Sequence, residues 1–171
     1  MEDARVKVRE RGQEAGVVDQ YDRAIIARKK FVDQQMMGKL VIKSSDRDWE
    51  LNRQARQKHM LQPMLFDDHA LREWRVFLHD IGSFSGKHTH QGGLVIFVLE
   101  GKGYTVVDGI RYDWEEGDLI LLPVKPGGVE HQHFNLNPGQ GCMWIAFIYS
   151  PYWDALASQM VQNETNPDYK E

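Results

Sequence analysis

The chain has 171 residues, of which 42% are hydrophobic and 27% charged, and its formal net charge is −4. This length and balance are typical of one globular domain with appendages. No stretch approaches eighteen consecutive apolar residues, which argues against a membrane-spanning helix. Basic residues outnumber acidic ones within residues 1–60, but the two kinds are interleaved, which argues against nucleic-acid binding.

The compartment is suggested by the N-terminus and by the single cysteine. The sequence is charged from Glu2 onward and has no apolar core of a secretory signal, so we expect no secretion. Cys142 lies in an apolar run and is interpreted as a core residue rather than a nucleophile. One cysteine cannot form an intramolecular disulfide, which fits a reducing cytoplasm.

The first part of the chain, residues 1–62, is predicted to hold an N-terminal arm and two helices. Residues 1–18 are polar and contain two glycines, so we expect an extended arm. Apolar residues recur at helical spacing over residues 19–37, and Gly38 supplies a stop. A second helix is predicted to begin after Ser45 and to run through residues 49–58. We expect these helices to pack on the rest of the protein or on a partner subunit, with a lid over the functional site as the alternative.

Beyond Pro63 the pattern changes to short strands separated by Gly and Asp, and residues 63–150 are predicted to form one β-barrel. The dipeptide Asp108-Gly109 favours a two-residue hairpin because a type I′ turn needs positive φ at both central positions. Many short antiparallel strands with no helix between them indicate an all-β jelly-roll barrel. The predicted strands cover residues 74–80, 94–99, 104–107, 110–114, 119–122, 129–135 and 143–149.

The last part of the chain, residues 151–171, is predicted to be a C-terminal helix and tail. The segment over residues 152–161 is amphipathic and follows Pro151, which suits the start of a short helix. The tail from Gln162 is polar, so we expect it to be loose.

The strongest functional signal is His88-Thr89-His90, followed forty residues later by His131. Two histidines with one residue between them point the same way from a strand, because side chains alternate faces. A third histidine from a distant strand can complete the set. Neutral imidazole suits iron, zinc, copper and nickel, so the pattern predicts a transition-metal site.

The residues around the first two histidines resemble the first sequence motif of the cupin family. That motif is a glycine, five residues, His-x-His, three or four residues and a glutamate. Here Gly82 precedes His88-Thr89-His90 at that spacing. The resemblance implies that His88 and His90 are metal ligands.

The second motif of the same family is also present. It consists of a glycine, five residues, a proline, a glycine-containing turn, a histidine, three residues and an asparagine, and it is similar to Gly117, Pro123, His131 and Asn135. The resemblance covers roughly residues 72–150. It implies a cupin-type jelly-roll barrel with His131 as the third histidine ligand, and such barrels commonly form homodimers.

One position departs from the family's pattern. Where the first motif places its glutamate ligand, this chain has Leu94, which cannot coordinate a metal. Three neutral imidazoles leave a divalent ion its full double charge, which favours anionic partners. This variation looks like gentisate 1,2-dioxygenase and related ring-cleaving cupins, which hold ferrous iron with three histidines. The resemblance therefore implies Fe(II), with zinc, nickel or manganese as alternatives.

Strand alternation identifies further candidates. If His131 faces the barrel interior, His133 does so too, and it is a candidate catalytic base or substrate hydrogen-bond partner. Arg75 is a candidate for binding a substrate carboxylate if its side chain faces the cavity rather than the outer surface. The candidate pocket residues are Leu94, Tyr104, Asn135 and Trp144. The histidines outside the motifs, which are assigned no chemistry, are His59, His69 and His79.

These observations lead to one principal hypothesis and two alternatives. The principal hypothesis is a mononuclear non-haem Fe(II) dioxygenase that binds O₂ and a small hydroxylated or carboxylated aromatic. The first alternative is a redox-neutral metal enzyme, namely an isomerase, decarboxylase or lyase. The second is a cupin that binds a small ligand without catalysis.

Overall fold

The computed structural model describes residues 19–170. The helices are α1, Gln20–Met37, a 3-10 helix, Ser44–Asp46, and α2, Ser150–Ala155. The strands are β1 Glu50–Leu51, β2 Arg56–Leu61, β3 Trp74–Asp80, β4 Lys87–His90, β5 Leu94–Glu100, β6 Lys102–Val107, β7 Ile110–Glu115, β8 Leu119–Leu122, β9 Val129–Asn135, β10 Met143–Tyr149 and β11 Val161–Glu164.

The strands form two antiparallel sheets. The six-stranded sheet has the order β1-β2-β3-β10-β5-β8, and the five-stranded sheet has the order β11-β4-β9-β6-β7. Neighbours that are distant in sequence, such as β3 with β10 and β4 with β9, show that the chain crosses between the sheets. That is the topology of a jelly roll. The prediction of an all-β jelly-roll barrel is confirmed.

The core fills the space between the two sheets. On β5 and β10 every second side chain faces inward, because strand residues alternate between faces. The inward residues Ile96, Val98 and Ala146 are 0% exposed. A fully buried aliphatic side chain of valine or isoleucine size stabilises the fold by roughly 1.5–3 kcal/mol. The alternating burial on these strands therefore fixes their register.

The opposite side of the six-stranded sheet carries exposed apolar side chains. We define the outer apolar face by the outward residues of β5, β8 and β10, which are Val95, Phe97, Leu99, Leu119, Leu121, Phe147 and Tyr149. Leu119 is 59% exposed and Leu121 is 63% exposed. Isolated exposed apolar residues are common on soluble proteins, whereas a contiguous patch of this kind is not.

The hairpin between β6 and β7 has the predicted turn. Val107 pairs with Ile110, and the two residues between them have φ values of 49° at Asp108 and 82° at Gly109. The Asp108 carboxylate accepts a hydrogen bond from the backbone N–H of Glu130 at 3.0 Å, which holds this non-glycine residue in its positive-φ conformation.

Helix α1 is confirmed at the predicted position. Its N-cap, Asp19, accepts a hydrogen bond from the backbone N–H of Asp22 at 2.9 Å, and the helix ends before Gly38. A Cβ at Gly38 would lie 2.6 Å from the backbone nitrogen of Ala70, so only glycine fits this close approach. Within residues 19–170 no helix is long and apolar enough to cross a membrane. The predicted arm, residues 1–18, lies outside the described residues.

The predicted second helix is wrong. Its residues form β1 and β2 instead, and β2 pairs with β3 through Gln57 opposite His79 and Lys58 opposite Leu78. The segment contains few strong strand formers, and its conformation is decided by pairing with β3, which a local pattern does not reveal. The six-stranded sheet therefore begins before residue 63.

The C-terminal segment also differs from the prediction. Helix α2 covers Ser150–Ala155 rather than residues 152–161, and Val161–Glu164 form β11. This strand pairs with β4, with Gln162 opposite His88, so the start of the predicted loose tail is an ordered edge strand of the five-stranded sheet.

Candidate metal centre

Neighbouring strands bring the three predicted metal ligands together. His88 and His90 lie on the same face of β4, and His131 of β9 is directly opposite His88. Their relative exposures are 5%, 2% and 2%. One ligand atom from each ring lies within 4.8 Å of the others. Within residues 19–170, these three histidines form the cluster of His, Cys, Asp or Glu side chains that could hold a metal ion.

Backbone hydrogen bonds orient the three rings. The Nδ1 atoms of His88 and His131 lie 3.4 Å and 3.1 Å from the carbonyl oxygens of Gly86 and Val129, so they donate and leave Nε2 free as a ligand atom. His90 differs, because its Nδ1 accepts a hydrogen bond of 2.9 Å from a backbone N–H two residues later. In this orientation a neutral His90 carries its proton on Nε2, so metal binding through Nε2 requires loss of that proton or a turn of the ring.

Burial keeps the three imidazoles neutral. Desolvation lowers the pKa of His88 to about 4 and the pKa of His90 to about 3, and His88 and Arg75 lower the latter further. Desolvation also places the pKa of His131 well below its ordinary value. A neutral imidazole is the form that ligates metals, so the donor set fits a first-row divalent ion at neutral pH once the His90 ring has turned or lost its Nε2 proton.

The histidines line a cavity of about 500 Å³ between the sheets. Leu94 is 6% exposed and lines the same cavity, so the position where the cupin motif carries glutamate is an apolar wall. No aspartate or glutamate among the described residues lines the cavity. The histidines that line it are His59, His79, His88, His90, His131 and His133. The cavity therefore combines neutral donors with no negative side chain.

Arg75 faces this cavity rather than the outer surface. It lines the cavity together with Phe77 and His79 of the same strand. Its guanidinium carbon lies 5.3 Å from the ring centroid of Trp153, whose ring lies 5.0 Å from that of His90. Burial lowers the pKa of Arg75 and Asp154 opposes that shift, but an arginine stays charged in proteins. One side of the cavity thus carries a positive charge.

His133 is held by a buried hydrogen-bond chain. The Trp114 Nε1–H donates to Thr105 Oγ1 at 2.9 Å, and Thr105 Oγ1 lies 2.8 Å from His133 Nδ1. A threonine hydroxyl has one proton and two lone pairs, so Thr105 can accept from tryptophan and donate its own proton to His133 Nδ1. A neutral His133 then carries its proton on Nε2, and burial, the main cause, lowers its pKa to about 3. In this tautomer His133 has a proton on Nε2 to donate, and its side chain lines the cavity.

Two predicted pocket residues are not in the cavity. Tyr104 stacks on Phe134 with ring centroids 4.6 Å apart, and it lies under the guanidinium of Arg111 on the outer surface. The Asn135 side chain is used structurally, because its Nδ2 donates to the carbonyl oxygens of Ile81 and Gly82, each at 3.1 Å. The other two predicted pocket residues, Leu94 and Trp144, line the cavity.

Sequence reasoning missed the wall formed by β2 and part of β3. His79 is 1% exposed and contacts the Trp144 ring at a centroid distance of 4.1 Å. Gln57 hydrogen-bonds to the His79 ring, and His59 packs on Phe77 at 5.5 Å. The sequence pattern that could have revealed this wall is the alternation of Gln57 and His59, which would face the same side of a strand. The prediction of a helix over residues 49–58 concealed it.

The C-terminal segment contributes another part of the cavity that was not predicted. Met160, Gln162 and Tyr169 line it, and the Gln162 Nε2 donates to the carbonyl oxygen of Lys87 at 3.3 Å. The predicted loose tail therefore closes one side of the metal centre. Helix α1 contributes no residue to this lining.

Comparison with known proteins relates part of the chain to a known family. The family described as "Cupin domain" matches residues 76–148, whereas no curated protein sequence matches the chain. The structure of salicylate 1,2-dioxygenase from Pseudoaminobacter salicylatoxidans with gentisate is similar at a TM-score of 0.53 and 15% identity, over 81% of this chain and 36% of that one. A variant of PAC13 from Streptomyces with uridine is also similar, at a TM-score of 0.53 and 10% identity, over 75% of this chain and 95% of that one. At these identities the likeness concerns the fold.

Proposed function

We propose that this chain, which carries a cupin domain, is a metal-dependent dioxygenase that holds Fe(II) through His88, His90 and His131. The observation that supports this most is the cluster of three buried, neutral histidines in a cavity whose described lining contains no carboxylate. Ferrous iron in such a site supplies a Lewis acid and a one-electron redox centre with its double charge undiminished by a ligand carboxylate. The ligand expected is a small aromatic with hydroxyl or carboxylate oxygens, together with O₂.

Arg75 would position the substrate. A guanidinium pairs bidentately with a carboxylate, and Arg75, one of two arginines that line the cavity, lies beside Trp153 and near His90. Burial leaves the positive charge of Arg75 poorly hydrated. The carboxylate of an aromatic acid bound beside it would neutralise that charge. This favours carboxylated aromatics over neutral phenols.

His133 would donate a hydrogen bond to a substrate oxygen. With Thr105 donating to its Nδ1, His133 would carry its proton on the nitrogen that is not bound to threonine. A fixed donor stabilises a substrate oxygen that loses its proton as it approaches the cationic site. We therefore propose His133 as a donor rather than as the general base.

The apolar residues would flank the aromatic ring. Leu94, Ile96 and Ile148 line one part of the cavity, and Trp144 lines it beside His79 and His133. These side chains exclude water from the reacting atoms and give a flat substrate an apolar surface on which to pack. The cavity volume of about 500 Å³ lies within the roughly 300–1,000 Å³ of small-molecule sites.

A redox-neutral metal enzyme is the second candidate. The similar fold of the PAC13 variant with uridine indicates that a barrel of this size can be combined with a ligand that is not a phenol. The polar wall of Gln57, His59 and His79 would suit such a ligand. A cupin that binds a small molecule without turnover is the third candidate.

We also propose that the protein is a homodimer whose subunits meet at the outer apolar face. This face consists of outward aliphatic and aromatic side chains on three adjacent strands. A two-fold contact would bury the same patch on both copies and thereby remove it from water.

The experiment is oxygen uptake by anaerobically iron-loaded protein, challenged with gentisate, salicylate and catechol. We expect uptake that depends on iron and is lost in His131→Ala. Arg75→Gln should raise KM for the carboxylated substrates by roughly ten-fold or more, since a charged hydrogen bond contributes about 1.5–3 kcal/mol, and should leave KM for catechol nearly unchanged. Arg111→Gln, a surface arginine on Tyr104, is the matched control.

The outcomes separate the three candidates. Oxygen uptake with none of the substrates, combined with substrate loss under anaerobic conditions, would replace the dioxygenase with the redox-neutral enzyme. Saturable ligand binding by the loaded protein with no product under either condition would support the third candidate. Equal activity of wild type and His131→Ala would contradict the assignment of the metal centre itself.

A further inference from the structure

A second cavity of about 400 Å³ lies between α1, the segment before β3 and α2. Its volume is within the roughly 300–1,000 Å³ of small-molecule sites. One side is apolar and includes Phe31, Pro63 and Pro151, and the other carries charged side chains. This division suits a ligand with an apolar body and a charged end.

The charged side of the second cavity is positive. It carries three arginines, Arg28, Arg72 and Arg75, against two carboxylates, Glu73 and Asp154. The Glu73 carboxylate already accepts a hydrogen bond of 3.1 Å from a glutamine of α1. One positive charge is in excess, so the ligand end that fits here is an anion.

Three buried hydrogen-bond donors on residues that line this cavity have no partner within residues 19–170. They are Arg72 Nη1, Arg75 Nε and Ser150 Oγ. Buried polar atoms in folded proteins nearly always have a partner, so three such donors around one cavity suit a group that accepts hydrogen bonds.

The orientation of the Arg72 side chain favours a planar hydrogen-bond acceptor. Its guanidinium carbon lies 3.7 Å from the ring centroid of Phe31, so the aromatic ring covers one face of the cation. The donors of a guanidinium lie in its plane, and a carboxylate matches that edge with two parallel hydrogen bonds. Stacking on Phe31 therefore restricts the cation while leaving its edge available.

We propose that the second cavity is a binding site for a small carboxylic acid with an apolar body, whose carboxylate is held by Arg72 and Arg75 with Ser150. Phe31 and the two prolines contact the body of the ligand. The site is separate from the metal centre, because Arg72 and Ser150 do not line the metal cavity.

The two cavities share one wall. Arg75 and Trp153 line both, with the guanidinium carbon 5.3 Å from the tryptophan ring centroid. A carboxylate bound in the second cavity would partly neutralise the positive charge that Arg75 adds to the metal cavity. Because Arg75 serves both sites, it cannot test them separately, whereas Arg72 can.

The test is calorimetric titration of the full chain with benzoate, using protein as purified and protein freed of metal by a chelator. Benzoate also suits the metal cavity, so any component of binding that requires the metal or His131 belongs there. We expect in addition a saturable component of equal strength in both samples and in His131→Ala. Arg72→Gln should weaken it by roughly ten-fold or more, the size expected for a lost charge-assisted hydrogen bond. Arg111→Gln is the control, because Arg111 also lies over an aromatic ring, at 3.8 Å from the Tyr104 centroid, but lines neither cavity.

A second variant and a second ligand keep the proposal testable. Should Arg72→Gln fail to fold, Arg28→Gln on the exposed surface of α1 should still weaken benzoate binding, by roughly three-fold. Inorganic phosphate should bind more weakly than benzoate, because it has no apolar body. Failure of benzoate to bind, equal affinity of a folded Arg72→Gln and Arg111→Gln, or phosphate binding as tight as benzoate would each overturn the proposal. None of these results bears on oxygen uptake at the metal centre.

Discussion

The substitution Thr105→Val removes the hydroxyl that joins Trp114 to His133 and keeps the shape of the side chain. Thr105 is 0% exposed, and its Oγ1 lies 2.9 Å from Trp114 Nε1 and 2.8 Å from His133 Nδ1. The variant leaves two buried polar atoms unpaired, at about 1–3 kcal/mol each, and recovers about 1–2 kcal/mol because valine buries no hydroxyl. We expect the free energy of unfolding to fall by roughly 1–4 kcal/mol.

Urea denaturation measures this loss, and Thr89→Val is the matched control. Thr89 is only half-buried, and its hydroxyl accepts one hydrogen bond, from Asn163 at 3.0 Å. Water can replace that bond, so the control should lose less than about 1 kcal/mol. Nitrogen NMR of the imidazoles gives a second measurement, since the proton of His133 should no longer be confined to Nε2 in Thr105→Val.

Equal losses in the two threonine variants would refute the reasoning. So would a His133 ring in Thr105→Val that keeps the wild-type tautomer. Either result would mean that the position of the proton on His133 is set by something other than Thr105. The proposed role of His133 as a donor to the substrate would then lose its structural basis.

Three further predictions concern the metal, pH and assembly. Leu94→Glu places a carboxylate in the metal cavity and should change the metal preference and lower oxygen uptake. If metal content, metal affinity and oxygen uptake are all unchanged, residue 94 does not face the metal. Arg47 lowers the pKa of the Asp68 carboxyl to about 2, so this ion pair stabilises the fold above pH 4, and that stabilisation is lost as pH falls toward 2. Asp68→Asn should therefore lower the free energy of unfolding by about 1 kcal/mol at pH 7 and by little at pH 2, as measured by denaturation. Leu121→Lys should convert a dimer to a monomer in sedimentation, whereas Ile110→Lys on the other sheet should not.

The sequence predicted the parts of the fold that depend on local patterns. The hairpin at Asp108-Gly109 and the strands over residues 119–122, 129–135 and 143–149 agree with the structure, because alternating burial and turn chemistry are both visible within a short window. The grouping of the metal histidines could also be predicted, since His88 and His90 share a strand face.

The parts that depend on distant pairing could not be predicted. Residues 56–61 are polar enough to suit a helix, and they become a strand by pairing with β3. That pairing places Gln57 opposite His79, and both line the metal cavity. The edge strand Val161–Glu164 likewise depends on its pairing with β4. Because these two strands were not predicted, the cavity wall that they form was not predicted either.

Charge balance links the metal centre to the kind of ligand proposed for it. Leu94 replaces the carboxylate that would have reduced the charge of a bound ion, and Arg75 adds a further positive charge to the same cavity. Burial prevents the histidines from becoming positive as well, because their pKa values fall far below neutrality. A divalent ion beside Arg75 would then place three positive charges in a poorly hydrated space, which costs several kcal/mol per uncompensated charge. An anionic substrate removes that cost, so metal and carboxylate should each strengthen the binding of the other by the same factor.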